Sequence, residues 1–199
     1  MRITQKAKEK TAKNILRAAE QLFTDVGYKD TTTRQIAQKA GIATGTLFNY
    51  FPSKEALAMS LLAEEIQQGR GDYLKRRSGD EDFGEDLFLL ISSELRRLKP
   101  YRNFVGPVLE STMSLFSKES SCPAGESTRS EHLQMVRDII HAHGFSKIPD
   151  YISTTLYWSL YLGILAFWST DESRNQEETL ALMDYSINVF TQTISNSAL

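Results

Sequence analysis

Side chains that can hydrogen-bond phosphates and base edges occur along residues 32–54, which hold four threonines, two lysines, one arginine and one asparagine. The pattern around them predicts two short helices. Thr32 and Gln35 form a capping box that starts the first helix, and Gly41 supplies the positive φ that ends it. Residues 44–46 then open the second helix. Two short helices across a glycine-containing turn form a helix-turn-helix, whose second helix enters the major groove of DNA.

The distribution of charge favours the same chemistry. The net charge is −2, but residues 1–54 hold ten basic and four acidic side chains, whereas residues 55–199 hold thirteen and twenty-one. The acidic part would repel phosphate, so the basic end is the part that can bind nucleic acid. A solvated basic helix face and a helical corner without DNA contacts are alternative interpretations of these patterns taken alone.

From about residue 14 to residue 57 the chain resembles the DNA-binding domain of the tetracycline-repressor (TetR) family. The matching residues are Ile15-Leu16-Arg17-Ala18-Ala19, Leu22-Phe23, Gly27-Tyr28, Thr32-Thr33, Ile36-Ala37, Ala40-Gly41-Ile42, Gly45-Thr46-Leu47-Phe48, Tyr50-Phe51 and Ser53-Lys54-Glu55. The resemblance implies an all-α fold of about nine helices. Residues 1–54 would form the DNA-binding domain and residues 55–199 the effector-binding and dimerisation domain, connected by a helix that starts at about residue 53.

The resemblance also implies a set of DNA contacts. Positions on or beside the second helix are Thr44, Gly45, Thr46, Phe48, Asn49 and Tyr50. Asn49 is an expected base reader, since an amide can bond adenine at two atoms. Arg34 can reach a phosphate or a base edge, where its guanidinium could bond guanine at two atoms. Contacts that position the phosphate backbone are expected from Thr33, Thr46, Tyr50 and Lys54. Phe48 stands where the family more often has tyrosine, so a thymine methyl is its expected partner.

Composition sets the broader limits. The 199 residues suffice for one or two domains, and no run approaches the roughly 20 apolar residues of a membrane helix. The polar, basic start does not match a secretory signal. Cys122 is the only cysteine, which excludes an intrachain disulfide and suits a reducing compartment. We therefore expect a cytoplasmic protein.

Helical periodicity continues through the rest of the chain. We expect an arm that becomes helical near Lys8, a first helix to about Val26, and a fourth helix from Ser53 to about Gly69 or beyond. The stretch 69–82, rich in glycine, serine and charge, is the expected domain boundary. Further helices are expected over residues 83–99, 104–117 with an interruption at Gly106-Pro107, 130–143, 149–170 and 173–195, with a loop over 118–128.

The last two helices predict self-association. Residues 155–168 are apolar almost all round, which predicts a helix buried on every side. The final helix carries one apolar row at Leu180, Met183, Ile187 and Phe190 and a second at Leu182, Tyr185, Val189 and Ile194. Because a second apolar row needs a partner, a two-fold homodimer is expected, as the resemblance also implies. The expected interface residues are Leu160, Gly163, Ile164, Phe167, Leu182, Tyr185 and Val189.

The resemblance further implies a small-molecule effector site in the C-terminal domain. Apolar and aromatic residues that suit its walls are Met59, Ile66, Phe88, Phe104, Val108, Met113, Phe116, Ile139, Tyr157, Trp158 and Tyr161. Few charges interrupt these helices, which favours a neutral, largely apolar effector. Such an effector would lower operator affinity by preferring one state of the dimer, a coupling of typically ~1–3 kcal/mol.

No spacing in the chain predicts catalysis, a cofactor or a metal site. His132, His141, His143 and Cys122 do not form a Cys-pair or His-x₃-His pattern. The helix-turn-helix, the basic N-terminal part and the resemblance to the TetR family together imply a homodimeric repressor of a palindromic operator. An activator or ligand-independent regulator of the same fold, an all-α enzyme and a DNA-free interaction protein remain alternatives.

Overall fold

The computed structural model of the chain describes residues 4–112 and 122–197, and in them all regular secondary structure is helical. The α-helices are α1 (Gln5–Asp25), α2 (Thr33–Lys39), α3 (Thr44–Phe48), α4 (Lys54–Arg76), α5 (Phe83–Leu98), α6 (Arg102–Thr112), α7 (Pro123–Ala142), α8 (Asp150–Thr170) and α9 (Glu177–Ser197). Short 3₁₀ turns precede α6 and α9. The predicted all-α class is confirmed. Across the described residues, no helix is long and apolar enough to cross a membrane.

Contacts between Cα atoms divide the chain into two units. We call the described parts of Met1–Glu64 and Pro107–Glu126 the N-terminal unit, and those of Glu65–Gly106 and Ser127–Leu199 the C-terminal unit. The division falls within α4, α6 and α7.

In the N-terminal unit, α2 packs against α1 and α3 around a core that includes Ile15, Ile36, Leu47 and Leu57, each fully buried. The predicted capping box is present, since the Thr32 N–H donates to Gln35 Oε1 at 2.7 Å and the Gln35 N–H donates to Thr32 Oγ1 at 3.3 Å. These local interactions set where α2 begins.

The first helix of this unit starts earlier than expected. α1 starts at Gln5 rather than near Lys8, because the Thr4 hydroxyl accepts a hydrogen bond from the Ala7 N–H and caps the helix. Gly41 has φ +69° at the α2–α3 turn, as predicted for the residue that ends α2.

Helix α4 corrects the expected boundary at residues 69–82. The helix continues to Arg76, so only residues 77–82 form a loop. Gly69 is not a linker residue. A Cβ atom built on it would lie 2.7 Å from the Cα of Glu94 and 3.1 Å from the Ser93 carbonyl oxygen. The glycine therefore allows α4 to approach the backbone of α5 closely.

Substituting Gly69 with alanine should lower the free energy of unfolding by about 1–3 kcal/mol, because the added methyl group overpacks against backbone that cannot yield. The matched control is Gly71→Ala two residues along the same helix, where a Cβ atom meets nothing within 4 Å. That change should instead stabilise the protein by about 0.5–1 kcal/mol. Urea denaturation of both variants makes the comparison, and equal stabilisation by the two alanines would contradict the close approach.

In the C-terminal unit, α9 packs against both α5 and α8. The fully buried core includes Leu87, Leu90, Val136, Trp158 and Met183. α5 ends at Leu98, immediately before Lys99 and Pro100, as predicted, and Asp150 follows Pro149 as the first residue of α8. The helices of this unit therefore bury the apolar stripes that their periodicity indicated.

Three other expectations are wrong. α6 continues through Pro107 without interruption. α7 begins at Pro123, within the expected loop, because proline is favoured in the first turn, where its missing N–H has no helical partner. α8 is buried along one side only, and Ile152, Leu156 and Phe167 are 40%, 44% and 38% exposed.

Candidate DNA-binding surface and core of the C-terminal unit

Helix α3 presents nearly all of its side chains outward. Only Leu47 is buried, and Phe48 is 46% exposed. The remaining predicted contacts are exposed or partly exposed, namely Thr44, Gly45, Thr46, Asn49 and Tyr50. Asn49 is the C-cap of α3 and Tyr50 follows it in the turn. Because a Cβ atom on Gly45 would meet nothing within 4 Å, packing within the chain does not require a glycine there.

The start of α2 adds two predicted contacts to this surface. Thr33 is the first residue of the helix and is partly exposed, whereas Arg34 is exposed. Within the described parts of the chain, the Arg34 guanidinium has no hydrogen bond or ion pair, so it is available to a ligand. Between α1 and the end of α2 lies a groove of about 230 Å³. Its lining includes Arg17 and Lys39, two cations that are not among the predicted DNA contacts.

Lys54 has a different environment from the other predicted contacts. Its Nζ donates to the carbonyl oxygens of Tyr28 at 2.8 Å, Thr31 at 3.1 Å and Lys29 at 3.4 Å. The ammonium also lies 4.4 Å from the centroid of the Tyr28 ring, a cation–π arrangement. An ammonium has three donors, and all three are directed at main-chain carbonyls. The expected role as a phosphate clamp therefore competes with an internal role, which is to hold the loop between α1 and α2.

The surroundings of Tyr28 complete this loop attachment. Its hydroxyl donates to Glu55 Oε1 at 3.3 Å, and its ring packs edge-on against Phe23. Burial, with a further contribution from Glu55, raises the pKa of Tyr28 above its usual range. The first residues of α4 thus hold residues 28–31, which lead directly into the capping box of α2.

Replacing Lys54 with methionine keeps the apolar stem and removes the ammonium. We expect a loss of stability of about 1–2 kcal/mol, because three carbonyls lose charged donors. DNA binding should weaken for all sequences while the dependence of log K on log salt concentration keeps its slope. A phosphate clamp would instead lower that slope by about 0.9. Thermal melting and a salt titration of DNA binding distinguish the two roles.

The described residues of the predicted effector set are distributed over both units. Ile66, Phe104, Ile139, Tyr157, Trp158 and Tyr161 are buried in the C-terminal unit. Phe88 is half-buried and lines an open groove of about 880 Å³ between α5 and α9. Met59 and Val108 are buried in the N-terminal unit, and Met113 and Phe116 lie outside the described residues.

Three of these residues, Tyr157, Trp158 and Tyr161, surround a buried polar cluster that sequence reasoning missed. Glu94 and His132 are 0% and 1% exposed. Glu94 Oε1 lies 2.9 Å from His132 Nδ1, and Glu94 Oε2 accepts a 2.7 Å hydrogen bond from the Tyr161 hydroxyl. The Tyr157 hydroxyl lies 3.0 Å from His132 Nε2. Burial and the neighbouring Glu94 raise the pKa values of both tyrosines well above the usual range.

A second buried carboxylate, Asp86, joins the end of α4 to α5 and to the residues that follow α7. It accepts hydrogen bonds from the Tyr73 hydroxyl at 2.6 Å and from Arg77 Nη2 at 2.7 Å. His143 Nε2 lies 3.0 Å from Asp86 Oδ2, the oxygen that also accepts from Arg77. Burial, together with Asp86, raises the pKa of Tyr73.

The three histidines therefore contact three different carboxylates, with His141 beside Asp150 at 3.0 Å. Where the structure describes the chain, no three His, Cys, Asp or Glu side chains converge as metal ligands would.

The outer face of α8 and α9 is apolar, and no other described residue of the chain covers it. We call this surface the α8–α9 face, formed by Ile152, Leu156, Leu160, Gly163 and Phe167 on α8 with Leu182, Tyr185 and Val189 on α9. Leu160 and Leu182 are half-buried and the other members are exposed, Tyr185 at 71%. Its α8 members recur at helical spacing, so they form one stripe.

Two assignments to the rows of these helices need correction. Ile164 was expected at the dimer interface, but it is 2% exposed because it follows Tyr161 by three residues on the inner side of α8. On α9, Ile194 is 1% exposed and belongs to the inner row with Met183, Ile187 and Phe190, whereas Leu180 is 45% exposed.

Comparison with known proteins gives the family. The profile of "Bacterial regulatory proteins, tetR family" matches residues 15–61, and that of "Tetracyclin repressor-like, C-terminal domain" matches residues 87–199, more than half of the chain. An uncharacterized HTH-type transcriptional regulator of Bacillus subtilis, YvkB, is 41% identical over 70 residues, which cover 35% of this chain and 36% of that protein. The matches to the first curated relatives span only about a third of their length, 31–40%.

Solved structures share the fold over nearly the whole chain. A TetR transcriptional regulator from Rhodococcus sp. RHA1 has a TM-score of 0.71 at 18% identity, over 92% of this chain and 96% of that one. The repressor FadR of Thermus thermophilus, solved in complex with lauroyl-CoA, has a TM-score of 0.69 at 16% identity, over 94% and 95%. Together with the two profile matches, these findings show that the chain belongs to the TetR family of transcriptional regulators.

Proposed function

We propose that this regulator is a homodimeric repressor that binds a palindromic operator and is released from it by a small, largely apolar effector. The observation that carries the proposal is the outward orientation of α3, in which Leu47 alone is buried while the polar residues around it remain accessible. A helix that contributes one anchor to its own core and directs its other side chains outward suits insertion into the major groove.

Individual roles follow from side-chain chemistry. Asn49 and Arg34 would read base edges, and Phe48 would contact a thymine methyl. Gly45 would allow a main-chain N–H to approach a phosphate. Contacts that position the DNA backbone are assigned to Thr33, Thr44, Thr46 and Tyr50. Residues 1–54 would thus form the DNA-binding domain, with residues 55–199 serving effector binding and dimerisation.

Dimerisation is supported by the α8–α9 face. An uncovered apolar surface on two adjacent helices is a common feature of self-associating proteins, and a two-fold pairing would cover the same surface on both subunits. Gly163 favours close approach, since the space beside its Cα is empty. The dimer would present two α3 helices to half-sites about 34 Å, or a multiple of that distance, apart.

Effector binding is supported by the buried aromatic residues of the C-terminal unit and by the FadR structure, which holds lauroyl-CoA, a molecule with a long apolar chain. The effector would lower operator affinity by binding one arrangement of the dimer more tightly than the other. We place its site around Tyr157, Trp158 and Tyr161.

Base reading is tested with Asn49→Ala. Loss of a two-atom contact should cost about 1–3 kcal/mol on the operator and relax specificity at one base pair of each half-site, while binding to random DNA is almost unchanged. Thr46→Ala is the comparison, since loss of a phosphate contact should weaken binding to both DNAs by similar factors. Affinities for operator and random DNA are measured at one salt concentration. Equal losses on both DNAs for Asn49→Ala would remove it from the base readers.

A further inference from the structure

One hydrogen-bond donor in the buried cluster of the C-terminal unit is unused. Trp158 is 0% exposed, and within the described parts of the chain its Nε1–H has no acceptor. Leaving a buried N–H unpaired is costly, and native proteins rarely do so without a reason. The indole lies beside the polar cluster, with ring centroids 5.4 Å from Tyr161 and 6.0 Å from His132.

The other polar atoms of the cluster satisfy one another. The Tyr161 hydroxyl donates to Glu94 Oε2, His132 Nδ1 lies 2.9 Å from Glu94 Oε1, and the Tyr157 hydroxyl lies 3.0 Å from His132 Nε2. Each of these polar atoms has a partner within the cluster, whereas the Trp158 Nε1–H has none among the described residues. The cluster therefore holds the carboxylate of Glu94 and lacks one acceptor, for Trp158.

The charges around the cluster select the kind of acceptor. Glu94 is fully buried, so its charge is weakly screened. Two cations lie on the cluster's outer side, where Arg70 pairs with Glu131 at 3.1 Å and the partly exposed Arg129 lies over the Trp158 ring at 5.4 Å. A carboxylate placed at Trp158 would be repelled by Glu94, whereas an uncharged oxygen would accept the N–H without that cost.

The space for an apolar chain adjoins the same rings. Tyr157 and Tyr161 border a void of about 10 Å³ whose other walls are Ser186 and apolar side chains of α5, α8 and α9, among them Leu87, Ile91 and Phe190. A void of this size holds no more than a water molecule. An effector must therefore displace the tyrosine rings, so binding at this place changes how α5, α8 and α9 pack.

We propose that the effector is an uncharged molecule with an apolar body and a carbonyl oxygen that accepts the Trp158 N–H. This inference rests on the proposed function, because it takes the C-terminal unit as the effector-binding part. It adds the chemical class of the ligand and assigns Glu94 as the residue that excludes anionic analogues.

The test uses pairs of probes on the full-length protein. Each pair is a methyl ester and the carboxylate of the same chain length, from hexanoate to dodecanoate. Binding is followed by tryptophan fluorescence and by the shift in melting temperature. We expect at least one ester to bind at least tenfold more tightly than its carboxylate. Carboxylate binding equal to or tighter than that of every ester, or no binding of any ester, would overturn the inference.

Variants identify the groups responsible. Trp158→Phe should bind the ester at least tenfold more weakly, because the indole N–H that would donate to the ester carbonyl is gone. Trp168→Phe is the matched control, since Trp168 lies on the same helix, is 2% exposed and has Gln176 as an acceptor for its indole N–H. This variant should retain ester binding. Glu94→Gln should gain affinity for the carboxylate. Full ester affinity in Trp158→Phe would overturn the assignment.

The same samples are titrated with operator DNA in the absence of probe. Specific DNA binding together with failure of every ester would refute the effector class alone. Absence of specific DNA binding by the wild-type protein would refute the proposed repressor function, whatever the probes do.

Discussion

Replacing Phe167 with glutamate is expected to convert the regulator from a dimer to a monomer and to weaken binding to a complete operator by at least about 100-fold, or about 2.8 kcal/mol. Phe167 lies in the apolar α8–α9 face. In a two-fold interface each substitution occurs twice, so two carboxylates would be buried without partners in the dimer. A monomer would hold only one half-site and lose the gain from simultaneous binding to both.

The measurement is sedimentation equilibrium, with operator titrations on the same samples. Tyr151→Glu provides the control, because Tyr151 is 72% exposed on the same helix but lies outside the stripe of the α8–α9 face. It should remain dimeric and retain operator affinity. A dimeric Phe167→Glu variant with unchanged operator affinity would show that subunits associate through another surface.

Replacing Asp86 with alanine is expected to lower the free energy of unfolding by about 3–5 kcal/mol, the usual cost of removing one partner of a buried ion pair. Asp86 is 0% exposed and is contacted by Tyr73, Arg77 and His143. Its loss leaves a guanidinium and a buried hydroxyl without their acceptor. Arg77 Nε already lacks a partner within the described residues, so the remaining cation would be poorly compensated.

Urea denaturation measures this loss, with the m-value used to check that unfolding remains two-state. Asp72→Ala is the matched comparison, because Asp72 also pairs with an arginine, Arg97 at 2.7 Å, but its side chain is 30% exposed. The exposed pair should contribute much less. Equal losses for the two variants would show that burial does not determine the importance of Asp86.

Local signals in the sequence predicted much of this fold because they act over a few residues. The capping box at Thr32 and Gln35 forms from side chains three positions apart, and Gly41 ends α2 through its own backbone conformation. In α1, helical spacing predicts that Ile15, Ala19 and Phe23 face inward, and all three are buried, whereas Val26, also expected to face inward, is 45% exposed. Such features depend little on the rest of the chain, and apart from Val26 they were predicted correctly.

Features that depend on distant parts of the chain were missed. Gly69 was predicted to be a linker residue. The backbone at Glu94 leaves no space for a Cβ atom there, and that contact joins residues 25 positions apart, so helical periodicity does not reveal it. The internal hydrogen bonds of Lys54 were not predicted, because the carbonyls it binds are 23 to 26 residues away in sequence. Glu94 did give a signal. It falls on the apolar face of α5, with Leu90 and Leu98 four residues away on either side, and a charge there indicates a buried polar cluster.

The apolar character of α8 was interpreted incompletely for a related reason. Periodicity showed that the helix is apolar on most sides, but it could not separate burial within one subunit from burial against a second. In the structure, Tyr157, Tyr161 and Ile164 are buried inside this chain, whereas Leu156 and Phe167 are exposed on it. Ile164 was assigned to the outer side of α8 because an isoleucine suits a buried core position and an interface position equally well.

The most direct test of the repressor proposal is a titration of the full-length protein with the DNA that flanks its own coding region, at two salt concentrations, with random DNA as the control. We predict tight binding of one dimer, or a whole number of dimers, to a palindromic site, and this binding should persist at salt that removes the protein from random DNA. Equal, salt-sensitive binding to both DNAs would contradict the proposal, because it would mean that the basic residues contact phosphate without reading the sequence.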